Sequence, residues 1–129
     1  MSYLLDTNVI SEFSKRRPNP VITDFVKSLR ASGTWLSAMS LGEIRRGVEM
    51  EAAKNPPSAD AIRRWLLATE TEFASRVLPV TTEIAYRWGV ISADRTRPVV
   101  DTLIAATALV HDLTLVTRNE RDFADLGVR

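Results

Sequence analysis

Four short β-type runs, at 2–5, 34–37, 76–80 and 113–117, each give way to a longer stretch with helical periodicity. Parallel neighbours can be joined only by a crossover, so this alternation predicts βαβ units. The expected architecture is a three-layer α/β/α fold: a central, mainly parallel sheet with helices on both faces. The 129 residues, 45% of them apolar, supply one core of ordinary size, which sets the expectation of a single domain over 1–129. No internal repeat, low-complexity tract or long linker interrupts it.

The clearest amphipathic helix follows Asn55-Pro56-Pro57-Ser58, where the prolines end the preceding helix and Ser58 is placed to cap the next. Ile62, Trp65, Leu66, Thr69 and Phe73 then share one face. With the helical segment 38–53 they predict an antiparallel helical hairpin inserted between the second and third strands. Its apolar stripe is expected to face the core, the ordinary use of such a stripe, ahead of a dimer surface or a groove for a partner's helix.

Composition narrows the chemistry. The absence of cysteine excludes disulfides, cysteine-bound zinc, iron–sulfur clusters and thiol catalysis. The single histidine, His111, excludes a two-imidazole mechanism and falls at the end of a predicted helix, where it complements the helix dipole. Trp35, Trp65 and Trp88 sit in apolar surroundings and are assigned to packing. Hydrolysis would have to rest on carboxylates, hydroxyls or an oxygen-bound metal. Seventeen basic against sixteen acidic residues leave a net charge of +1, so any attraction to a polyanion must be local. The first ten residues have no early Lys or Arg and carry Asp6 within their apolar run, unlike a signal peptide. The longest nearly apolar stretch, 103–110, is far short of the roughly 20 residues that span a bilayer, and the expected compartment is the cytosol, with no membrane partner.

Four acids, Asp6, Glu43, Asp101 and Asp122, fall at strand-to-helix junctions or in first helical turns. Each has a plain explanation as a cap: Asp6 before the first helix, Glu43 in a Ser40-x-x-Glu43 capping box, Asp101 before Thr102-Leu103-Ile104, and Asp122 after Asn119. As a group they resist it. Residues just beyond different parallel strands meet along one sheet edge, and clustered carboxylates repel unless a cation neutralises them or some are protonated. Oxygen ligands alone favour Mg²⁺ or Mn²⁺, ions that keep waters and pair with phosphate oxygens. Basic residues flank every acid: Lys15, Arg16 and Arg17; Arg45 and Arg46; Arg95 and Arg97; Arg118 and Arg121. An acidic pocket with a basic rim suits a phosphodiester chain.

The stretches 3–11 (YLLDTNVIS), 37–43 (SAMSLGE) with the following Gly47, 101–108 (DTLIAATA) and 115–123 (LVTRNERDF) resemble, in order and across nearly the whole chain, the motifs of PIN-domain nucleases. More narrowly the chain is similar to VapC-type toxins of bacterial toxin–antitoxin pairs. The resemblance implies that Asp6, Glu43 and Asp101 are metal-binding acids of an active site, with Asp6 and Asp101 the firmest. It implies a catalytic fourth position at Asp122 or Asn119. Thr7 and Asn8 match positions that orient Asp6, Thr117 one that holds a water or phosphate, and Arg118 one that meets substrate or partner. It also implies a Mg²⁺-dependent endoribonuclease, with Mn²⁺ as a substitute, that leaves 5′-phosphate and 3′-hydroxyl ends on RNA. A homodimer and a cognate VapB-type antitoxin complete the expectation, the hairpin 38–73 offering much of the antitoxin surface.

Two other classes fit the acids. One is a receiver-like or phosphatase-type phosphotransfer domain, but Leu5-Asp6-Thr7 lacks the paired acid of a receiver, no lysine follows Lys54, and Asn8 stands where a dehalogenase-type phosphatase has its second Asp. The other is a catalytically inactive PIN-like module that binds RNA.

Overall fold

The protein is described here by a computed structural model, which covers residues 1–128. Strands β1 (Tyr3–Leu5), β2 (Thr34–Ser37), β3 (Val77–Leu78) and β4 (Thr114–Val116) form one sheet in the order β3-β2-β1-β4. Every pairing is parallel, with Tyr3 opposite both Thr34 and Thr114 and Leu36 opposite Val77. All four expected strands are present. The third is shorter than 76–80 because Pro79 has no N–H to continue a ladder.

Seven helices surround the sheet among the described residues: α1 (Thr7–Ile10), α2 (Pro20–Ser28), α3 (Ala38–Ala52), α4 (Pro56–Glu72), α5 (Thr82–Ile91), α6 (Val99–Val110) and α7 (Glu120–Phe123). The period-two pleat divides the apolar residues between two cores. Leu4 and Leu115 point to one face, against Ile104, Ala105 and Ala108 of α6 and Phe123 of α7. Leu5 and Leu36 point to the other, against Val9, Ile10, Ile44, Leu66 and Phe73. The three-layer arrangement follows.

The hairpin of α3 and α4 forms as expected, and its stripe faces the core: Leu66, Thr69 and Phe73 are buried, while Ile62 and Trp65 pack against the cluster. Its caps differ from the sequence reading. Ser37, not Ser40, caps α3, its hydroxyl accepting from the Met39 N–H at 3.1 Å. Asn55, not Ser58, caps α4, its side chain accepting from the Ser58 N–H at 3.3 Å. The two prolines open this helix because its first N–H groups have no intrahelical acceptor to lose.

Topology fixes where chemistry can occur. From β1 the chain steps outward to β2 and then β3, and the next crossover returns to the far side of β1 as β4. The order reverses between β1 and β4, which opens a crevice beyond their C-terminal ends. Asp6 follows β1 there, and Thr117 follows β4. No helix among the described residues is long and apolar enough to cross a membrane.

Candidate active site

Asp6 is 3% exposed and occupies that crevice. It caps α1, with Oδ1 accepting from the Thr7 N–H at 2.8 Å. Oδ2 accepts from the Thr117 hydroxyl at 2.8 Å, which ties the ends of β1 and β4 together. The Thr117 oxygen accepts in turn from the Asn119 N–H at 3.0 Å, so the hydroxyl has one direction left for its proton. Burial nonetheless drives the Asp6 carboxyl above its ordinary range: it outweighs the lowering by the Thr117 and Thr7 donors, and Glu43 and Asp122 add a smaller repulsion.

Glu43 lies on the second turn of α3 and makes no capping box. The Thr7 hydroxyl, 2.6 Å from its Oε1, draws it towards Asp6, and buried Ser40 stands 3.0 Å from the same hydroxyl. Thr7 therefore serves two acids at once: its backbone holds Asp6 and its side chain holds Glu43. Asn8 acts elsewhere, its side chain accepting from the Arg118 N–H at 3.4 Å.

Asp101 does not cap α6. Pro98 holds that position without a side-chain bond, and Asp101 lies in the first turn. It is half-buried, and burial followed by repulsion from Asp6, Glu43 and Asp122 raises its carboxyl. Asp122 is exposed in α7, whose cap residue Asn119 makes no side-chain capping bond. The charge that reaches Asp6 and Asp101 from this segment is that of Asp122. Asn119 contributes its backbone N–H, donated to the Thr117 hydroxyl oxygen.

The basic rim is largely occupied. Arg45 pairs with Glu49, while Arg95 and Arg97 pair with Asp125. Arg118, expected at substrate or partner, lies 2.9 Å from Glu12. Glu12 is the residue that sequence reasoning missed. It is 2% exposed, accepts from the Asn19 N–H at 2.7 Å and holds Lys15 at 2.8 Å, and these contacts keep it below the usual carboxylate range. One carboxylate thus binds three segments around the crevice. Arg121 remains exposed and, with Arg95, Arg97, Asp101 and Asp122, lines a cleft of about 310 Å³. The His111 end of α6 lies against the opposite, N-terminal end of the strands, beside Met1, Ser2 and Thr114.

Among the described residues no three acids form a close ligand cage. The fit to a cation rests on donor chemistry instead. Asp6 and Asp101 carry repulsion that their neighbours do not relieve, and the available groups are carboxylate oxygens. This suits a hard divalent ion that retains waters and needs few protein ligands.

A parallel sheet carrying these acids at its switch point is the signature of a known class, and the chain belongs to the PIN domain family, which matches residues 3–128. It is 33% identical over 134 residues to Toxin FitB of Neisseria gonorrhoeae, covering 97% of this chain and 94% of that protein. It is 30% identical over 137 residues to VapC ribonuclease Y4jK of Sinorhizobium fredii, covering 97% and 92%. Among solved structures, FitAcB from Neisseria gonorrhoeae superposes with a TM-score of 0.87 at 32% identity, over 98% of this chain and 94% of that one. DNA-bound VapBC from Salmonella typhimurium superposes with a TM-score of 0.73 at 30% identity, over 100% and 96%. Family membership sets aside the phosphotransfer reading.

Proposed function

We propose that this protein is the toxin of a type II toxin–antitoxin pair and a divalent-cation-dependent endoribonuclease of the cytosol. The observation that supports the proposal is the electrostatic coupling of Asp6 and Asp101 to each other, to Glu43 and to Asp122, which adds to burial in raising both carboxyls. Relatives of matching length that bear the names toxin and VapC ribonuclease support it.

Asp6 and Asp101 would hold Mg²⁺ or Mn²⁺, with Glu43 and Asp122 alongside. The chemistry a bound ion of this kind supplies is acidification of water and offset of charge on phosphoryl oxygens. The protein's own part is orientation. Thr7 and Thr117 fix both oxygens of Asp6, and the Thr7 hydroxyl leaves one oxygen of Glu43 to orient or deprotonate a water. Arg121 is placed to meet a phosphate beside the acids. A VapB-type antitoxin and a second copy of the chain are the proposed partners, with the α3–α4 hairpin as the antitoxin surface.

Incubation of purified protein with RNA in Mg²⁺ should yield 5′-phosphate fragments. Asp6→Asn should abolish cleavage, and EDTA should do so reversibly. Full activity in EDTA would refute the proposal, and RNA binding without cleavage by partner-free protein would establish the inactive-module reading instead.

A further inference from the structure

Asp122 sits on a helix of four residues, too short to hold itself, with no side-chain bond at its cap. Phe123 and Leu126 dock the segment on the core, and a further tie is needed to set the exposed Asp122 beside Asp101. Arg97 meets that need. Its side chain is only 6% exposed although both of its partners are solvent-facing. Its guanidinium spans two carboxylates: Nε and Nη2 donate to Asp94 at 3.2 and 2.7 Å, and Nη1 and Nη2 donate to Asp125 at 3.2 and 3.1 Å. Arg95 adds a bond to Asp125 at 2.9 Å. Arg97 immediately precedes Pro98, the cap of α6, and lies four residues before Asp101. Asp125 lies three residues after Asp122. One side chain therefore joins the segment entering the helix of Asp101 to the segment leaving the helix of Asp122, and it lines the cleft those two acids share.

We propose that Arg97, acting through Asp125, is the positioning residue that sets Asp122 against Asp101. The proposal rests on the reading of these acids as a cation site. The planar fork of arginine is essential to it, since a lysine ammonium cannot bind two carboxylates edge-on. Phe123 and Leu126, buried against Ile104 and Ala105, keep the segment docked when the clamp is lost, so the change is one of placement and not of folding.

The test measures Mn²⁺ affinity by calorimetry and amide exchange of residues 120–123 in wild type, Arg97→Ala, Arg97→Lys and Asp125→Asn. Each is made with and without Asp122→Asn. Loss of an outer partner typically lowers metal affinity by about 10-fold or more. That loss is expected in all three clamp variants and is expected to vanish in the Asp122→Asn background, where there is no carboxylate left to place. Exchange of residues 120–123 should accelerate while the centre of α6 stays protected. Asp125→Asn leaves Arg97 with Asp94, so a loss there isolates the link to α7. An equal loss of affinity in both backgrounds, or unchanged exchange at 120–123, would overturn the proposal. Wild-type protein that takes up no Mn²⁺ would defeat the proposed function, and the exchange measurement would still decide whether Arg97 holds α7.

Discussion

Asp101→Asn should stabilise the cation-free protein while removing a carboxylate proposed to hold the cation. Every influence on Asp101 disfavours its charged form: burial first, then Asp6, Glu43 and Asp122. The carboxyl is half-buried, so solvent screens part of this repulsion. Relief of such a functional-site penalty is worth on the order of 1 kcal/mol, which for a domain of this length raises the melting midpoint by roughly 4 °C. The pH dependence identifies the cause. With the folded value above the ordinary 3.8, the unfolded chain loses its proton first as pH rises. Wild type therefore loses stability from about pH 4 upward until the folded group has also ionised, and the variant does not. The assay is thermal unfolding of both proteins in EDTA from pH 3.5 to 8. The advantage of Asn should be absent at the acid end, grow with pH and level off. Millimolar Mn²⁺ should then reverse the order by binding folded wild type more tightly. Asp6→Asn should gain less, because Asp6 already accepts from Thr7 and Thr117. Equal midpoints in EDTA at pH 7.5, or an advantage constant across pH, would refute the account of the acids as a repelling cluster.

Glu12→Gln should lower stability at neutral pH by releasing Arg118 and Lys15. The Gln oxygen can still accept from the Asn19 N–H, so the loss is that of the two ion pairs at Oε2. Because the folded carboxyl is held below its ordinary 4.5, that contribution is present above that pH and lost as pH falls through the folded value, and the difference between variant and wild type in urea unfolding should shrink on acidification. Gly33→Ala should cost about 1–3 kcal/mol, since a Cβ there would lie 2.9 Å from the Met1 carbonyl oxygen; Gly47→Ala, in open space within α3, should add about 0.5–1 kcal/mol. Equal denaturation midpoints for these two variants would refute the steric argument. Trp88→Phe should change stability by no more than about 1 kcal/mol, because the lost ring packing is offset by removal of a buried indole N–H that has no acceptor among the described residues; a larger loss in the same denaturation experiment would show that the N–H is satisfied.

The layered fold was legible because its signals are periodic. Leu4 and Leu5 alternate between two cores, and Leu66, Thr69 and Phe73 return at helical spacing. Both follow from backbone geometry that holds wherever the chain lies. The meeting of Asp6 with Thr117 was legible because parallel topology brings the ends of β1 and β4 to one edge, whereas Asp101 follows α5 and strand topology alone does not place it. What depended on a particular partner was not legible. Asn55-Pro56-Pro57-Ser58 admits a cap at either end, and only the path of the chain selects Asn55. Ser40 and Glu43 have capping-box spacing, yet Thr7, 36 residues before Glu43, claims its carboxylate. Glu12 reads as an ordinary surface acid, its one local signal being the basic run from Lys15 three residues later. Its burial depends on Asn19 and Arg118 arriving from two other segments.

The near-zero net charge acquires a structural meaning from these pairings. Arg45 pairs with Glu49, Arg95 and Arg97 with Asp125, Arg97 also with Asp94, and Arg118 with Glu12, so several of the basic residues flanking the acids are engaged by other carboxylates. Among the described residues Asp6 and Asp101 form no such pair: each feels Glu43 and Asp122, and the donors to Asp6 are a neutral amide and a neutral hydroxyl. Capping does not account for this separation. Of the four acids only Asp6 caps a helix, and a cap gains nothing from three other carboxylates nearby. A fold that holds Asp6 and Asp101 raised by burial and by neighbouring carboxylates at the topological switch point retains an instability at one place. A bound divalent cation would relieve that instability there and supply the local attraction to a polyanion that a net charge of +1 requires.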